Sequence, residues 1–518
     1  MYPGAWSTRF PDKPAVIMAD TGAQLSYADL EDRSLRLANW FRSIGLQTGD
    51  HVAMIAENRF EIIEAYWAAL RSGTLITVVN RHLTPRESSY IIHDCDASVV
   101  IISAELASAV ELAAHCEDIE HRVQVGGMPG QLAGAVDYEG ILAGASAEKP
   151  DYEPRGGDML YSSGTTGNPK GILPHLPEQS IEDPNVSMVQ LFTALYGFDE
   201  ESVYLSPAPL YHAAPIRFVM TAHSRGGTAV IMPRFDPEFA LETVEKYRVT
   251  HSQWVPTMFV RMLKMPAEQR ERYDVSSMKA AIHAAAPCPI DVKRKMIEWW
   301  GPVIHEYYAS TEGNGVTVIN SEDSLRKPGS VGRDGLLGTV HICGPDGAEL
   351  PPGEVGTIYF EKPEGTEPFT YYKDEGKTLS SRHPDHPDWT TTGDLGHLDE
   401  ERFLFMAERG SFLIITGGVN IYPQEIENEL ALHPDVRDVA VVGRKDEELG
   451  EVAVAYVEAE DHVAPGDALT AEIVDWLEPR LARYKIPREF RYITEMPRTP
   501  TGKLVKRKLP ETTEVPTA

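Results

Sequence analysis

Two rhythms alternate along the first hundred residues. His51-Val52-Ala53-Met54-Ile55, Leu75-Ile76-Thr77-Val78-Val79 and Val99-Val100-Ile101-Ile102 are short apolar runs of strand length. Between them, Phe60 to Leu70 carries apolar residues at helical spacing, and a further helix is expected through Tyr90-Ile91-Ile92. Thr84-Pro85-Arg86-Glu87 supplies the start of that helix. The threonine caps, the proline sits where its missing N–H costs nothing, and the glutamate reaches back to the cap. Apolar strands separated by helices are the pattern of an α/β domain with a largely parallel sheet.

After residue 408 the pattern changes. Phe412-Leu413-Ile414-Ile415 reads as a strand, Pro423 to Leu432 as a helix, Val439-Ala440-Val441-Val442 and Val452-Ala453-Val454-Ala455 as strands, and Ile473 to Leu481 as a helix. This is a small α+β module of ordinary domain size. The expected fold is therefore α/β: a large N-terminal domain, residues 1–408, with mixed, largely parallel sheets, and a small α+β C-terminal domain, residues 409–518. Pro174, Pro177 and Pro184 crowd one segment and leave its path open. The terminal Thr/Glu/Pro stretch is expected to fray.

Composition narrows the classes. A chain of 518 residues is too long for one ordinary core. Its net charge of −30 argues against nucleic-acid binding, whose footprint is basic. Any polyanionic ligand must therefore meet locally positive groups against the overall field. No apolar run is long enough for a membrane helix, and Met1-Tyr2-Pro3-Gly4-Ala5-Trp6 does not begin a signal peptide, so no integral membrane contact is expected. Cys95, Cys116, Cys288 and Cys343 lack metal-site spacing and suit reduced thiols in a cytoplasmic protein.

The candidate chemistry begins at Tyr161-Ser162-Ser163-Gly164-Thr165-Thr166-Gly167-Asn168-Pro169-Lys170-Gly171. Small residues there offer N–H groups and hydroxyls with little bulk, and Lys170 adds a compact positive charge, so the loop can fold around phosphate oxygens. The Walker A spacing is absent. Five further motifs follow in order: Pro209-Leu210-Tyr211-His212; His283-Ala284-Ala285-Ala286-Pro287; Glu306-Tyr307-Tyr308-Ala309-Ser310-Thr311-Glu312; Thr391-Thr392-Gly393-Asp394 with Arg409 beyond it; and Thr416-Gly417-Gly418-Val419-Asn420-Ile421-Tyr422-Pro423. Pro497-Arg498-Thr499-Pro500-Thr501-Gly502-Lys503 closes the series near the C-terminus.

Together, over roughly residues 20 to 510, these motifs resemble the acyl-adenylate-forming enzymes: acyl-CoA synthetases, peptide-synthetase adenylation domains and beetle luciferases. The resemblance implies ATP, Mg²⁺ and coenzyme A as cofactors and a small carboxylic acid as substrate. It implies nucleotide contacts from Ser162 through Gly167, Lys170, Ala285, Ala286, Pro287, the segment Glu306 to Thr311, Asp394 and Arg409. Tyr308 would stack on adenine, Asp394 would take the ribose hydroxyls, and Thr311 the α-phosphate. Glu312 would hold the metal. Lys503 would be the catalytic lysine, and His212 would gate the carboxylate between two half-reactions. The small domain would be mobile, turning on a hinge at Ser411, where the family commonly has Lys or Asp. The family usually has glycine where Ala284 stands, leaving that backbone less free here.

The acceptor and the acid are read more coarsely. Tyr211-His212-Ala213-Ala214 offers no aspartate for an amino-acid ammonium, which favours a CoA ligase over a peptide-synthetase domain. Arg234, Gly417, Gly418, Lys485 and Arg488 are the candidate CoA contacts. His212, Phe218, Val255, Ala284 and Ala309 are the candidate acid pocket. Acetate-specific relatives place tryptophan where Ala309 stands, so an open pocket and a bulky apolar fatty, aryl or steroid-side-chain acid are expected. The alternatives are a carrier-protein acceptor or a non-catalytic nucleotide binder. A homodimer, and a lysine acetyltransferase and deacetylase acting on Lys503, are also compatible with the resemblance.

Overall fold

The computed structural model describes residues 2–162, 169–184, 187–363, 365–407, 414–416, 419–421, 423–446, 449–498 and 504–510. The alternating segment forms a parallel sheet in the order Val136–Asp137, His121–Val125, Ala97–Ser103, His51–Ile55, Leu75–Val78 and Gly157–Asp158. Its strands read as continuous apolar runs because both faces are covered. Val52, Met54, Val99 and Ile101 enter one core, while Ala53, Ile55, Val100 and Ile102 enter another. The helix Pro85–Asp94 starts as expected: Glu87 N–H donates to the Thr84 hydroxyl and Thr84 N–H to the Glu87 carboxylate.

A larger sheet carries six parallel strands in the order Ile304–Ala309, Ala280–His283, His251–Trp254, Val203–Ser206, Thr228–Ile231 and Pro14–Met18. Beyond Ile304–Ala309 it continues antiparallel, through Val316–Ile319 and Ser330–Arg333 to Phe403–Ala407 and Leu395–Leu398. One face shares a core with the parallel sheet; the other packs on a second core that contains Trp254, Phe259 and Trp300. The helix Ala213–Arg225 lies in the shared core, with Ile216, Phe218 and Val219 fully covered.

Lys170–Leu173 pairs with Leu160–Ser162 on one side and Thr370–Tyr371 on the other, all antiparallel. Pro174 ends that strand, and no helix forms until Ser187–Tyr196 among the described residues. Arg155 holds the proline-rich stretch by donating to the carbonyls of Ile181 (2.7 Å) and Asp183 (3.0 Å).

In the small domain, Val436–Asp446 and Gly450–Ala459 form a long antiparallel pair, and Glu489–Tyr492 joins parallel. Ile414–Thr416 is a strand; Phe412 and Leu413 lie outside the described residues, as does the expected boundary at 408 and 409. The second helix is Asp467–Leu477, earlier than the expected Ile473 to Leu481. Its buried stripe is Leu469, Ile473 and Leu477, four residues apart. Glu478 is still helical in backbone angle, and Pro479 after it has no N–H to continue the helical hydrogen bonding. No helix among the described residues is long and apolar enough to cross a membrane.

Candidate functional site

The parallel strands ending at Ala309, His283, Trp254 and Ser206 release their chains at one edge, the place where open α/β sheets bind ligands. Neighbouring strand ends bring Ala309 to Glu312, Ala284 to Pro287 and Val255 together, and the loop after Ser206 delivers His212. Ala284 is buried and its N–H reaches Trp254 O at 3.3 Å. The strained position of this turn is Ala285, with φ +78°. A methyl-bearing residue held there costs on the order of 1 kcal/mol. The demand for glycine-like backbone thus falls one residue after Ala284.

Two pairings organise the end of the strand Ile304–Ala309. Tyr308 donates its hydroxyl to Asp394 Oδ2 at 3.0 Å, Thr392 approaches the same oxygen at 3.3 Å, and Phe360 backs the Tyr308 ring at 6.1 Å. Gly393 takes φ +82°, a turn that costs glycine little, and donates its N–H to Thr391. Tyr371 donates to Glu312 Oε1 at 2.9 Å. Burial, then the Glu312 charge, raise the Tyr371 pKa, so the phenol stays a donor. Because Tyr371 is in register with Ile172, this bond ties Glu312 to the hairpin that carries the glycine-rich loop. Lys170, beside that loop, pairs with Asp374 at 2.8 Å, and this contact raises its pKa and keeps it charged.

His212 precedes the helix Ala213–Arg225, with its ring 4.3 Å from that of Tyr211. Burial, then the neighbouring His82, pull its pKa down to about 3, so the imidazole is neutral. His212 Nε2 and the Tyr211 hydroxyl are buried without hydrogen-bond partners among the described residues. Buried polar atoms in this state call for a ligand or water.

Some expected contacts are redirected. Glu306 points into the interior, where its carboxylate is bound by Lys293 of the helix Ile290–Trp300, so its side chain is structural. Tyr307 faces Phe218 (6.4 Å) and Arg217, away from Asp394, because successive strand residues alternate sides. Phe218 and Val255 belong to different cores on opposite faces of the sheet and do not line one wall. Lys485 is tied to both carboxylate oxygens of Glu425, at 2.6 and 2.7 Å, while Arg234 and Arg488 are exposed. Ser162 lies at the hairpin, and Ser310 donates to Asn314 at 2.7 Å. Ser163, Gly164, Thr165, Thr166, Gly167, Arg409, Ser411, Gly417, Gly418 and Lys503 lie outside the described residues. Tyr371, Asp374 and Arg217 are absent from the sequence reading: their contacts are distant in the chain and no local motif marks them.

Comparison with known proteins agrees with this arrangement. The AMP-binding enzyme family matches residues 5–368, and the AMP-binding enzyme C-terminal domain matches residues 425–503. The chain is 30% identical to the long-chain-fatty-acid–CoA ligase FadD13 of Mycobacterium tuberculosis, over 98% of this chain and 96% of that one. It is 31% identical to the feruloyl-CoA synthase of Amycolatopsis sp., over 97% of each. Among solved structures, o-succinylbenzoate CoA synthetase (MenE) of Bacillus subtilis with its acyl-adenylate superposes with a TM-score of 0.79 at 25% identity, covering 99% of both chains. ATP-bound MatB of Rhodopseudomonas palustris superposes at 0.77 and 28%, covering 98% of both. Sequence and architecture together show that the chain belongs to the AMP-binding enzyme family, in the acyl-CoA ligase branch of the acyl-adenylate-forming enzymes.

Proposed function

We propose that the protein is an ATP-dependent carboxylic acid:CoA ligase, converting acid, ATP and CoA to acyl-CoA, AMP and pyrophosphate through an acyl-adenylate. The observation that carries this reading is the placing of Tyr308–Asp394 and Glu312–Tyr371 on one strand end, beside the hairpin of the glycine-rich loop. The first pair suits adenosine and the second suits the phosphates. In the first half-reaction a carboxylate oxygen attacks the α-phosphorus and pyrophosphate leaves. Catalysis of such a step is mainly positioning and charge stabilisation. Thr311, Lys170 and Lys503 would share the phosphate charge. Neutral His212, its Nε2 without a partner among the described residues, would hold the carboxylate by hydrogen bonding without competing for its charge. In the second half-reaction the CoA thiolate attacks the acyl carbon and AMP leaves; a turn of the small domain at Ser411 would withdraw Lys503 and admit the thiol.

Glu312 fits Mg²⁺: a single carboxylate beside substrate phosphates is the donor set this hard cation uses, and the bound ion would neutralise phosphate charge. Arg234 and Arg488 remain exposed cations suited to CoA phosphates. Ala309, with one methyl group, leaves room for an acid larger than acetate, in keeping with relatives named for long-chain fatty acids, indoleacetate and ferulate. Four free cysteines fit a cytoplasmic setting. A homodimer, and acetylation of Lys503 by a partner enzyme, follow from the resemblance alone.

The test is acid-dependent ATP–pyrophosphate exchange, followed by thioester formation on adding CoA. Lys503→Ala should lose exchange by about 10²–10³-fold or more while still converting preformed acyl-adenylate to thioester. Equal loss in both half-reactions would remove Lys503 from the adenylating role. Absence of exchange with every acid would overturn the ligase reading.

A further inference from the structure

A partly accessible ion pair lies roughly one and a half turns along the helix that follows His212. On the helix after His212, residues Ala213, Ala214 and Arg217 share one face and keep partial accessibility, while Ile216, Phe218 and Val219 are sealed. Opposite them, Ala309 and Tyr307 are two residues apart on one face of their strand, and both keep accessible surface. The two partly accessible stripes approach each other at Tyr307 and Arg217. Arg217 grips Asp158 with two bonds, Nε to Oδ2 at 2.9 Å and Nη2 to Oδ1 at 3.1 Å. Even so, Arg217 and Asp158 retain 23% and 13% of their side-chain surface. Burial opposes the Arg217 charge, and Asp158 more than restores it, so the guanidinium stays charged.

Tyrosines complete the wall. The Tyr66 hydroxyl lies against both members of the pair, and Tyr307 feels the Arg217 charge. The Tyr307 hydroxyl makes no hydrogen bond among the described residues. Asp158 takes Nε and one N–H of Nη2. Five residues of helix from His212 to Arg217, at about 1.5 Å each, set the pair roughly 7 Å deeper than the carboxylate. Two residues of strand from Ala309 to Tyr307 give a similar depth of about 7 Å.

We propose that the tail of the acid runs inward between these two stripes, and that Arg217, Asp158 and Tyr307 form a specificity site there for a neutral hydrogen-bonding group, a hydroxyl or carbonyl, about five to seven atoms from the carboxylate. This rests on the ligase reading above and narrows its substrate. An unsubstituted alkyl tail would bury against polar groups and leave the Tyr307 hydroxyl unpaired. A second carboxylate is disfavoured because Asp158 already neutralises Arg217, and a third buried charge would lack a counter-ion. A hydroxyl meets both demands, accepting from Arg217 or Tyr307 and donating to Asp158.

Exchange rates would be measured for cinnamic against 4-hydroxycinnamic acid, and for hexanoic against 6-hydroxyhexanoic and hexanedioic acids. In at least one series the hydroxylated acid should exceed its unsubstituted and dicarboxylic partners about tenfold or more in kcat/KM. Removing Arg217 alone would strand Asp158 and endanger folding, so the paired replacement Arg217→Met with Asp158→Leu is the informative variant. With its fold checked by thermal unfolding, it should bring the ratio of hydroxylated to unsubstituted acid close to one or below. A wild-type preference for the unsubstituted acid or the diacid in both series would overturn the proposal, and so would a hydroxyl preference that survives the paired replacement. Both results leave ligase activity standing. Exchange with none of the acids would instead overturn the ligase reading itself and the proposal with it.

Discussion

Tyr308→Phe separates two contributions of one side chain. The substitution keeps the ring, its packing on Phe360 and any stacking on adenine, and deletes only the hydroxyl 3.0 Å from Asp394 Oδ2. A hydrogen bond to a charged acceptor contributes about 1.5–3 kcal/mol when buried. Both residues are partly exposed here, and Thr392 stays close to the same oxygen at 3.3 Å, so about 1 kcal/mol is the expected loss. Since about 1.4 kcal/mol is tenfold, KM for ATP should rise roughly five-fold with little change in kcat. Asp394→Ala should cost more, because it removes the proposed ribose acceptor itself. The decisive measurement is the double variant: with Asp394 already gone, Tyr308→Phe should add little to KM for ATP. Full additivity of the two losses, or an unchanged KM in Tyr308→Phe, would show that the hydroxyl does not act by orienting Asp394.

The remaining expectations concern stability and the acid. Lys293→Ala leaves Glu306 buried without its partner and should destabilise the protein by about 3–5 kcal/mol in denaturant unfolding; a change below 1 kcal/mol would return Glu306 to the candidates for ligand contact. Ala309→Trp should suppress exchange with large acids while sparing acetate and propionate, and retained large-acid activity would show that Ala309 does not border the acid. Burial lowers His212 to a pKa of about 3 and His223 and His251 to about 4. Between those values and about 6.5 the unfolded chain binds more protons than the native one, so their contribution is complete above about pH 6.5 and is lost as pH falls. Each imidazole removes up to about 1.4 kcal/mol per pH unit, so the melting temperature should fall steeply from pH 7 to 5, and a flat profile would refute the assignment.

Much of this was legible in the chain because it is local. The Thr84–Glu87 cap and the strands at His51 and Val99 are written within a few residues, and the site motifs sit where strands end. What escaped is what the sheet topology assembles. Tyr371 reaches Glu312 and Arg217 reaches Asp158 across 59 residues each, and neither pair carries a local signature. Tyr307 and Tyr308 are adjacent in sequence, yet strand alternation sends one toward Phe218 and the other toward Asp394. The start of the helix at Asp467 is weakly marked in the sequence, because its first turns contribute only one buried residue, Leu469.

The ion pair between Lys170 and Asp374 bears on the order in which substrates arrive. In a chain of net charge −30, a lone lysine at the mouth of an anion loop would attract any passing carboxylate, including the acid to be activated. Asp374 occupies that lysine in advance. A monoanionic acid offers Lys170 nothing that Asp374 does not already give, and it lacks the aspartate's tether. A polyphosphate brings several charges at once and, in the proposed reading, would displace the aspartate. Under the proposed ligase reading, the placeholder would keep the acid off the phosphate position until nucleotide is seated, favouring binding with ATP first and the acid second.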